Sequence, residues 1–255
     1  MKKVQVHSTL KSNYNFSNRE INSFFLFIFK IIYKISAEFS NANRDDNMDF
    51  DLERIGITTE ERYECIYTTI SPEGVKNSAA IGLKYFGEDN IGCRIFEGSK
   101  TLENIQKTKK YVVNITQDPL IFTKSTLDKL PDEYFTDDED IAILKDAGSY
   151  IIVDVADIDE QKPENTPIDN DQSIFMIKGK IEKVVINNES IKAFNRALPG
   201  IIECLVNFSR YKIVDENKRN EYMQRVIENE RMISRIGNEK SKEVMKLIKE
   251  EYEKN

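Results

Sequence analysis

The feature that most constrains the fold is a series of six short segments rich in β-branched and aromatic residues. They cover residues 63–70, 75–86, 91–97, 111–116, 149–159 and 173–186. Only the turn sequences Ser71-Pro72-Glu73-Gly74 and Gly87-Glu88-Asp89-Asn90 separate the first three segments, which predicts an antiparallel meander. Six mostly antiparallel strands, with one short helix after the third, indicate a small barrel that closes so that no strand edge stays exposed.

After Asn187 the spacing of apolar residues changes to the helical period. We expect helices over 190–214 and 218–255, with breaks at Pro199-Gly200 and at Gly237. The last segment has an apolar face that we expect to pack against a neighbouring helix or a second subunit, made of Tyr222, Val226, Met232, Ile236, Val244 and Leu247.

Composition removes several classes of function. The formal net charge of −7 argues against nucleic acid as the main partner, because phosphate contacts need a basic face. The only histidine is His7, and the cysteines Cys65, Cys93 and Cys204 lie far apart. This pattern is typical of a cytoplasmic protein without a disulfide framework, a zinc site or histidine-dependent catalysis. Four consecutive acidic residues, 137–140, predict a solvated loop rather than a metal site.

The N-terminal segment differs from the rest of the chain. Its apolar run, residues 24–35, contains two lysines and is shorter than the roughly 20 residues of a membrane-spanning helix. We therefore expect no stable membrane insertion. Our hypothesis is that residues 1–47 lie outside the conserved fold, as a translated segment upstream of Met48 would. Residues 48–187 are then the barrel and residues 188–255 a helical subdomain.

A glycine-containing turn, Gly98-Ser99-Lys100-Thr101, lies between the third strand and the short helix. It does not match the phosphate-binding pattern G-x-x-x-x-G-K-[ST], because Ser99 separates Gly98 from Lys100 and position 93 is a cysteine. A weaker phosphate site is one interpretation, since a helix N-terminus offers free N–H groups and Lys100 adds a charge. The other interpretation, which spacing alone favours, is that Ser99 or Thr101 only caps the helix.

The second strand contains an unusual run of small residues, Asn77-Ser78-Ala79-Ala80-Ile81-Gly82. Strands usually prefer bulky residues, so small ones indicate that a flat group or another backbone approaches closely, or that the strand has a bulge. Tight packing against the inserted helix is an equally good explanation.

Three sequence blocks, "IYTTISPEGVKNSAAIGL", "RIFEGSKTLENI" and "YVVNITQDP", occur in order. They resemble a largely archaeal domain-of-unknown-function family within the FMN-binding split-barrel, or flavin reductase-like, superfamily. The segment "FNRALPGIIECLVNFSR" is similar to the helical extension of that family. The resemblance covers roughly residues 60–255 and implies a six-stranded Greek-key split barrel, a homodimer, and FMN in a groove between protomers.

The resemblance also implies site residues. The phosphate would bind at Ser99, Lys100 and Thr101, with Asn104 close by and Asn114 as a further polar contact. The flavin ring would lie along the backbone of Asn77, Ser78, Ala79, Ala80, Ile81 and Gly82. Ala80 stands where the family often has proline.

Two functions are compatible with these expectations. The chain could be an FMN-dependent oxidoreductase of unknown substrate, in which the cofactor carries the redox chemistry. Alternatively it could be a non-catalytic dimeric module, a sensor or carrier, that binds FMN or a deazaflavin.

Overall fold

Six strands form a closed barrel in the computed structural model, which describes residues 50–162 and 172–254. The hypothesis about residues 1–47 lies outside the described residues. The strands are β1 (Arg62–Ile70), β2 (Lys76–Gly87), β3 (Asn90–Phe96), β4 (Lys110–Ile115), β5 (Ser149–Gln161) and β6 (Ile174–Ile186).

The strand order is β1-β2-β3-β6-β5-β4, and β4 closes the barrel by pairing with β1. Strands β1 to β3 form the predicted meander, and the chain then crosses to the far side of β1. This gives the spatial order 4-1-2-3 of a Greek key, so the predicted six-stranded antiparallel Greek-key barrel is confirmed.

Side chains alternate between the barrel interior and its outer surface, as the strand period requires. The interior is filled by large buried residues, and the rings of Tyr67 and Tyr111 stack there with centroids 5.3 Å apart. On β2 the inward positions are Leu83 and Tyr85, with Ile81 partly buried against the same core. The even-numbered positions of β2 therefore face outward.

Two helices accompany the barrel. The predicted short helix is α1 (Lys100–Thr108), between β3 and β4. A second helix, α2 (Pro119–Leu127), was not predicted, although Asp118 caps it through a 2.8 Å hydrogen bond from the Leu120 N–H and Pro119 opens it. Helix α2 and residues 130–147 form an apolar cluster over Ile66, on the outer face of β1.

The C-terminal part contains α3 (Ala197–Phe208), α4 (Glu216–Ile236) and α5 (Glu239–Glu253). The predicted break at Gly237 is confirmed. The predicted break at Pro199-Gly200 is wrong, because both residues lie in the first turn of α3, where a missing N–H costs no helical hydrogen bond. None of the helices in the described ranges is long and apolar enough to cross a membrane.

The apolar face predicted for the last segment is correct on α4, where Tyr222, Val226 and Ile236 are buried. Leu247 of α5 is exposed, so it does not pack against a neighbouring helix. The buried residues of α5 are instead Met245, Ile248 and Tyr252. The Tyr252 hydroxyl donates a 2.7 Å hydrogen bond to the Cys204 carbonyl oxygen and so ties α5 to α3.

Candidate functional site

Helix α1 begins with a capped turn on the barrel surface. The Ser99 hydroxyl accepts a 3.2 Å hydrogen bond from the Leu102 N–H, so Ser99 is the cap. Gly98 has a left-handed φ of +77°, which glycine adopts without strain, and a Cβ atom there would have no described atom within 4 Å. Lys100 is exposed and forms a 3.1 Å ion pair with Glu103. The start of the helix is therefore open to solvent and carries a positive charge.

Four polar side chains hold this helix start against β1 and β2. The Asn77 amide donates a 3.0 Å hydrogen bond to the Thr101 hydroxyl, and the Asn104 amide donates one of 3.0 Å to the Thr69 hydroxyl. Thr69 and Asn77 are direct cross-strand partners. The structure thus brings three of the predicted residues, Asn77, Thr101 and Asn104, into one network, with Ser99 and Lys100 beside it along the chain.

The small residues of β2 lead away from this network and form an open strip of strand. Ala80 and Gly82 are exposed, and a Cβ atom on Gly82 would meet nothing within 4 Å in the part of the chain that the structure describes. Packing against the inserted helix therefore does not explain why position 82 has a glycine. From Asn77 to Gly82 the strip is roughly 16 Å long at the usual rise of a strand.

Ser78 lies near the start of the strip. Its side chain is buried, and its hydroxyl makes no hydrogen bond within the described residues. Buried hydroxyls usually have a partner, so an unpaired hydroxyl at this position is unusual. The three odd-numbered residues of the run, Asn77, Ala79 and Ile81, are partly buried.

A groove of about 670 Å³ borders the far end of the strip. Glu64 lines the groove and is the direct cross-strand partner of Gly82. The Arg196 guanidinium donates a 2.7 Å hydrogen bond to the Glu64 carboxylate, and the Glu64 N–H donates one of 2.7 Å to the Phe194 carbonyl oxygen. The other lining residues include Gln117, Pro119 and Phe122.

Sequence reasoning did not find this groove. Its residues come from β1, from the start of α2 and from the segment before α3, which are up to about 130 positions apart. Asp118-Pro119 was a local signal for the start of α2, but no local signal connects Glu64 with Arg196.

Asn114 has a different position from the other predicted residues. It is 0% exposed on the outer face of β4. Its amide donates to the Ile66 carbonyl oxygen (3.1 Å) and the Thr68 hydroxyl (2.8 Å), and its oxygen accepts from the Leu144 N–H (3.0 Å). The structure therefore uses Asn114 to bind the segment around Leu144 to the barrel, not to line the strip.

The cysteine thiols are not activated. All three are buried, and burial raises the pKa of Cys93 to about 12 and that of Cys204 to about 11. Burial also raises the pKa of Cys65. Because the thiolate is the nucleophilic form, these groups are inert at neutral pH.

Comparison with known proteins identifies the family. Residues 63–188 match the model described as "Protein of unknown function (DUF447) N-terminal domain", and residues 195–250 match "Protein of unknown function (DUF447)". The chain belongs to the DUF447 family. This confirms the resemblance seen in the sequence. The strip and the α1 start lie in the range of the N-terminal DUF447 model, whereas Arg196 lies in that of the C-terminal model.

Relatives of this DUF447 chain include the uncharacterized protein MJ1453 of Methanocaldococcus jannaschii. The two are 24% identical over 176 residues, which is 68% of this chain and 88% of MJ1453. Among solved structures, the FMN-bound DUF447 protein MM1853 from Methanosarcina mazei is 26% identical, with 78% of this chain and 99% of that chain covered and a TM-score of 0.45. The flavin reductase PheA2 is 22% identical, with 55% and 88% covered and a TM-score of 0.39.

Proposed function

We propose that this chain binds FMN along the open strip of β2, with the phosphate at the start of α1. The observation that carries the proposal is the strip itself. The strip begins beside the N-terminus of α1 at Asn77, is exposed at Ala80 and Gly82, and ends beside the groove at Glu64. MM1853, which is described as FMN-bound and belongs to the same family, supports FMN as the ligand.

The start of α1 has the chemistry to hold a phosphate. The first N–H groups of a helix have no intrahelical partner, and the helix dipole favours an anion there. The Ser99 and Thr101 hydroxyls each accept one hydrogen bond, so the proton of each can be donated to a phosphate oxygen. Lys100 adds a charge whose present partner is a single exposed carboxylate.

The strip has the chemistry to hold a flat ring. The exposed residues Ala80 and Gly82 leave space above the strand for the ring. The ring would then reach the groove at Glu64, where a second reactant has room to approach.

We assign the chain an oxidoreductase function of the flavin reductase-like type. Bound FMN would supply the electron or hydride transfer, and the chain would bind and orient the reactants. The neutral, buried thiols support this division, since they offer no redox group at the surface. Three free cysteines also suit the reducing cytoplasm, which is where we place the protein.

We further propose that the protein is a homodimer. Helix α3 exposes Leu198, Ile202 and Leu205, which follow at intervals of four and three residues and so share one helix face. A second copy would cover this apolar stripe. Most symmetric dimers join the same patch on both subunits, which one helix face can provide.

The test of the proposed function begins with protein purified without added cofactor. Mass spectrometry of the released ligand should give FMN, and a deazaflavin or no flavin would contradict the proposal. Addition of NADH or NADPH should bleach the flavin absorption, and FMN that binds but is never reduced would favour a carrier or sensor.

A matched pair of variants tests the phosphate position. Lys100→Gln should weaken FMN about tenfold at low salt, and less at high salt because the charge is screened. Riboflavin, which lacks the phosphate, should bind equally to parent and variant. Lys212→Gln is the control, because it removes the same charge at an exposed position of the helical part. Both ligands are measured by flavin fluorescence titration. Equal weakening of FMN and riboflavin by Lys100→Gln would contradict the proposed phosphate position.

A further inference from the structure

Four cations gather on the outer surface beyond the end of the strip. Arg62 of β1 and Lys84 of β2 are direct cross-strand partners. Arg94 of β3 follows the inward-facing Cys93, whose partner is Leu83, and so it faces outward beside them. Arg235 joins them from the last turn of α4. We call Arg62, Lys84, Arg94 and Arg235 the cationic cluster.

The cluster contains no ion pair with a carboxylate among residues 50–162 and 172–254. The polar contacts of three of its members are instead with neutral groups. Lys84 donates to the Thr59 carbonyl oxygen, Arg94 to the Met176 sulfur at 3.2 Å, and Arg235 to the Arg231 carbonyl oxygen at 3.3 Å.

The charges around the cluster do not neutralise it. Glu60 and Glu61 are close enough to act on Lys84, but Arg62 and Lys242 act on it more strongly in the opposite sense. Glu61 also accepts a hydrogen bond from the Tyr63 hydroxyl, and Lys242 is paired with Glu239. Glu64 is engaged by Arg196.

This arrangement is unfavourable for folding. Like charges directly opposite each other on paired strands destabilise the pair. Burial, followed by repulsion from Arg94 and Arg235, lowers the pKa of Arg62, and burial, followed by repulsion from Arg62 and Lys242, lowers that of Lys84. In a chain of net charge −7, carboxylates are abundant, yet none within residues 50–162 and 172–254 is paired with the cluster.

The cluster is also held in place by the fold. The Asn195 amide donates to both the Arg62 carbonyl oxygen at 2.7 Å and the Ile236 carbonyl oxygen at 2.9 Å. One side chain thus joins β1 to the end of α4 and keeps Arg235 beside Arg62. A pre-organised group of cations is suited to bind an anion, because less freedom is lost on binding.

We propose that the cationic cluster binds the phosphate groups of a second ligand, whose remaining part lies in the groove between Phe122 and Phe194. Lys84 is two residues beyond Gly82 on the same face of β2, and Glu64 of the groove is opposite Gly82. The anion site rests on its own residues. Only the role of its ligand as the second reactant of the flavin rests on the proposed function.

The probe for this site is inorganic pyrophosphate, added to the full chain in a calorimeter with and without FMN. We expect saturable binding that Lys84→Gln and Arg94→Gln each weaken about tenfold, since each removes one charge-assisted contact. Lys212→Gln should bind pyrophosphate as the parent does. Because Lys84→Gln relieves repulsion, its melting temperature should equal or exceed that of the parent.

Three outcomes would overturn the anion site. These are no saturable binding at millimolar pyrophosphate, equal binding by parent and cluster variants, or an equal loss in Lys212→Gln. FMN titration of the same samples separates this proposal from the previous one. Pyrophosphate binding without FMN binding would refute the flavin site and support the anion site, and the reverse result would do the opposite.

Competition identifies the source of the phosphates. Displacement of pyrophosphate by NADP⁺ would support a nucleotide as the second ligand. Displacement by ribose 5-phosphate but not by NADP⁺ would support a phosphorylated sugar-like substrate. If neither displaces pyrophosphate, the groove does not contribute and the proposal that the ligand extends into it is wrong.

Discussion

The side-chain amide of Asn77 donates a 3.0 Å hydrogen bond to the hydroxyl of Thr101, and this bond joins the start of β2 to the first turn of α1. It connects the two sequence features that stood out separately, the small-residue run and the glycine-containing turn. Residues at this junction support the fold and face the proposed phosphate position, so a variant here needs separate measurements of stability and of ligand binding.

Thr101→Val should lower both the stability of the fold and the affinity for FMN. Thr101 is only 2% exposed and is the partner of Asn77, so the unpaired amide should reduce the free energy of unfolding by about 1–3 kcal/mol. Loss of one hydrogen bond to a charged phosphate should weaken FMN roughly 10- to 100-fold. Riboflavin binding by the folded variant should change little in fluorescence titrations. Equal losses for the two ligands would leave Thr101 with a structural role only.

Gly82→Val should block the flavin ring without harming the fold. A Cβ atom at Gly82 enters open space and meets no described atom within 4 Å, so the melting temperature should not fall. FMN affinity should fall more than about tenfold, because the added methyl groups occupy the place of the ring.

Gly179→Ala is the matched control for Gly82→Val. Its Cβ atom would lie 2.3 Å from Val153 Cγ1 inside the barrel, so stability should fall while FMN binding by the folded fraction persists. Unchanged FMN binding by Gly82→Val would place the ring elsewhere.

Asn114→Ala should be strongly destabilising. The change leaves the Leu144 N–H without its acceptor and removes one donor each from the Ile66 carbonyl oxygen and the Thr68 hydroxyl, which should cost about 3 kcal/mol or more. Asn220→Ala, at an exposed position of α4, should change stability by less than about 0.5 kcal/mol. Urea unfolding compares the two. If the FMN affinity of Asn114→Ala fell without a loss of stability, Asn114 would have to be assigned to the flavin site.

Stability should decrease at alkaline pH because buried thiols stay protonated in the native state. The pKa of Cys93 is raised from 9.0 to about 12, so its contribution is complete below about pH 9 and is lost as the pH rises towards about 12. In that window the unfolded chain releases a proton that the native chain keeps, and the free energy of unfolding falls by up to about 1.4 kcal/mol per pH unit.

Urea unfolding of the parent and of Cys93→Ala at several pH values tests this assignment. The variant should be less stable at neutral pH because of the cavity, but its stability should fall less steeply with pH. Burial also raises the pKa values of Tyr67 and Tyr111, and Cys93 raises both further, so the comparison reports Cys93 together with its effect on these two hydroxyls. Identical slopes would mean that Cys93 titrates freely in the native state.

Ile202→Glu should dissociate the proposed dimer. Ile202 lies at the centre of the exposed stripe of α3, and a charge there would be buried without a partner in a symmetric interface. Ile213→Glu is the control, because Ile213 is also an exposed isoleucine, at 83%, but lies outside α3. Analytical ultracentrifugation should show a dimer for the parent and the control and a monomer for Ile202→Glu. A monomeric parent would refute the dimer.

Much of the fold was predictable because its signals are local. The alternation of β-branched residues and the Pro-Glu-Gly turn at 72–74 located all six strands to within two residues, and Ser99 marked the start of α1 correctly. The signal at Asp118-Pro119 is equally local, but a proline fits both the end of a strand and the first turn of a helix. The prediction of a helix break at Pro199-Gly200 was wrong because proline and glycine can lie at the beginning of a helix as well as at its end.

The sequence by itself determined which segments are strands and helices, and which polar residues could bind a phosphate. It could do so because backbone hydrogen bonding and the periodicity of buried side chains depend on residues that are close together in the sequence. Only the tertiary structure decided which of those residues remain available. The side-chain oxygen of Asn114 accepts a hydrogen bond from the Leu144 N–H, thirty positions away, whereas the surface at Gly82 remains accessible. The groove and the cationic cluster arise from strand register, which places Glu64 opposite Gly82 and Arg62 opposite Lys84. Register depends on how the whole barrel closes around its core, and no local pattern contains that information.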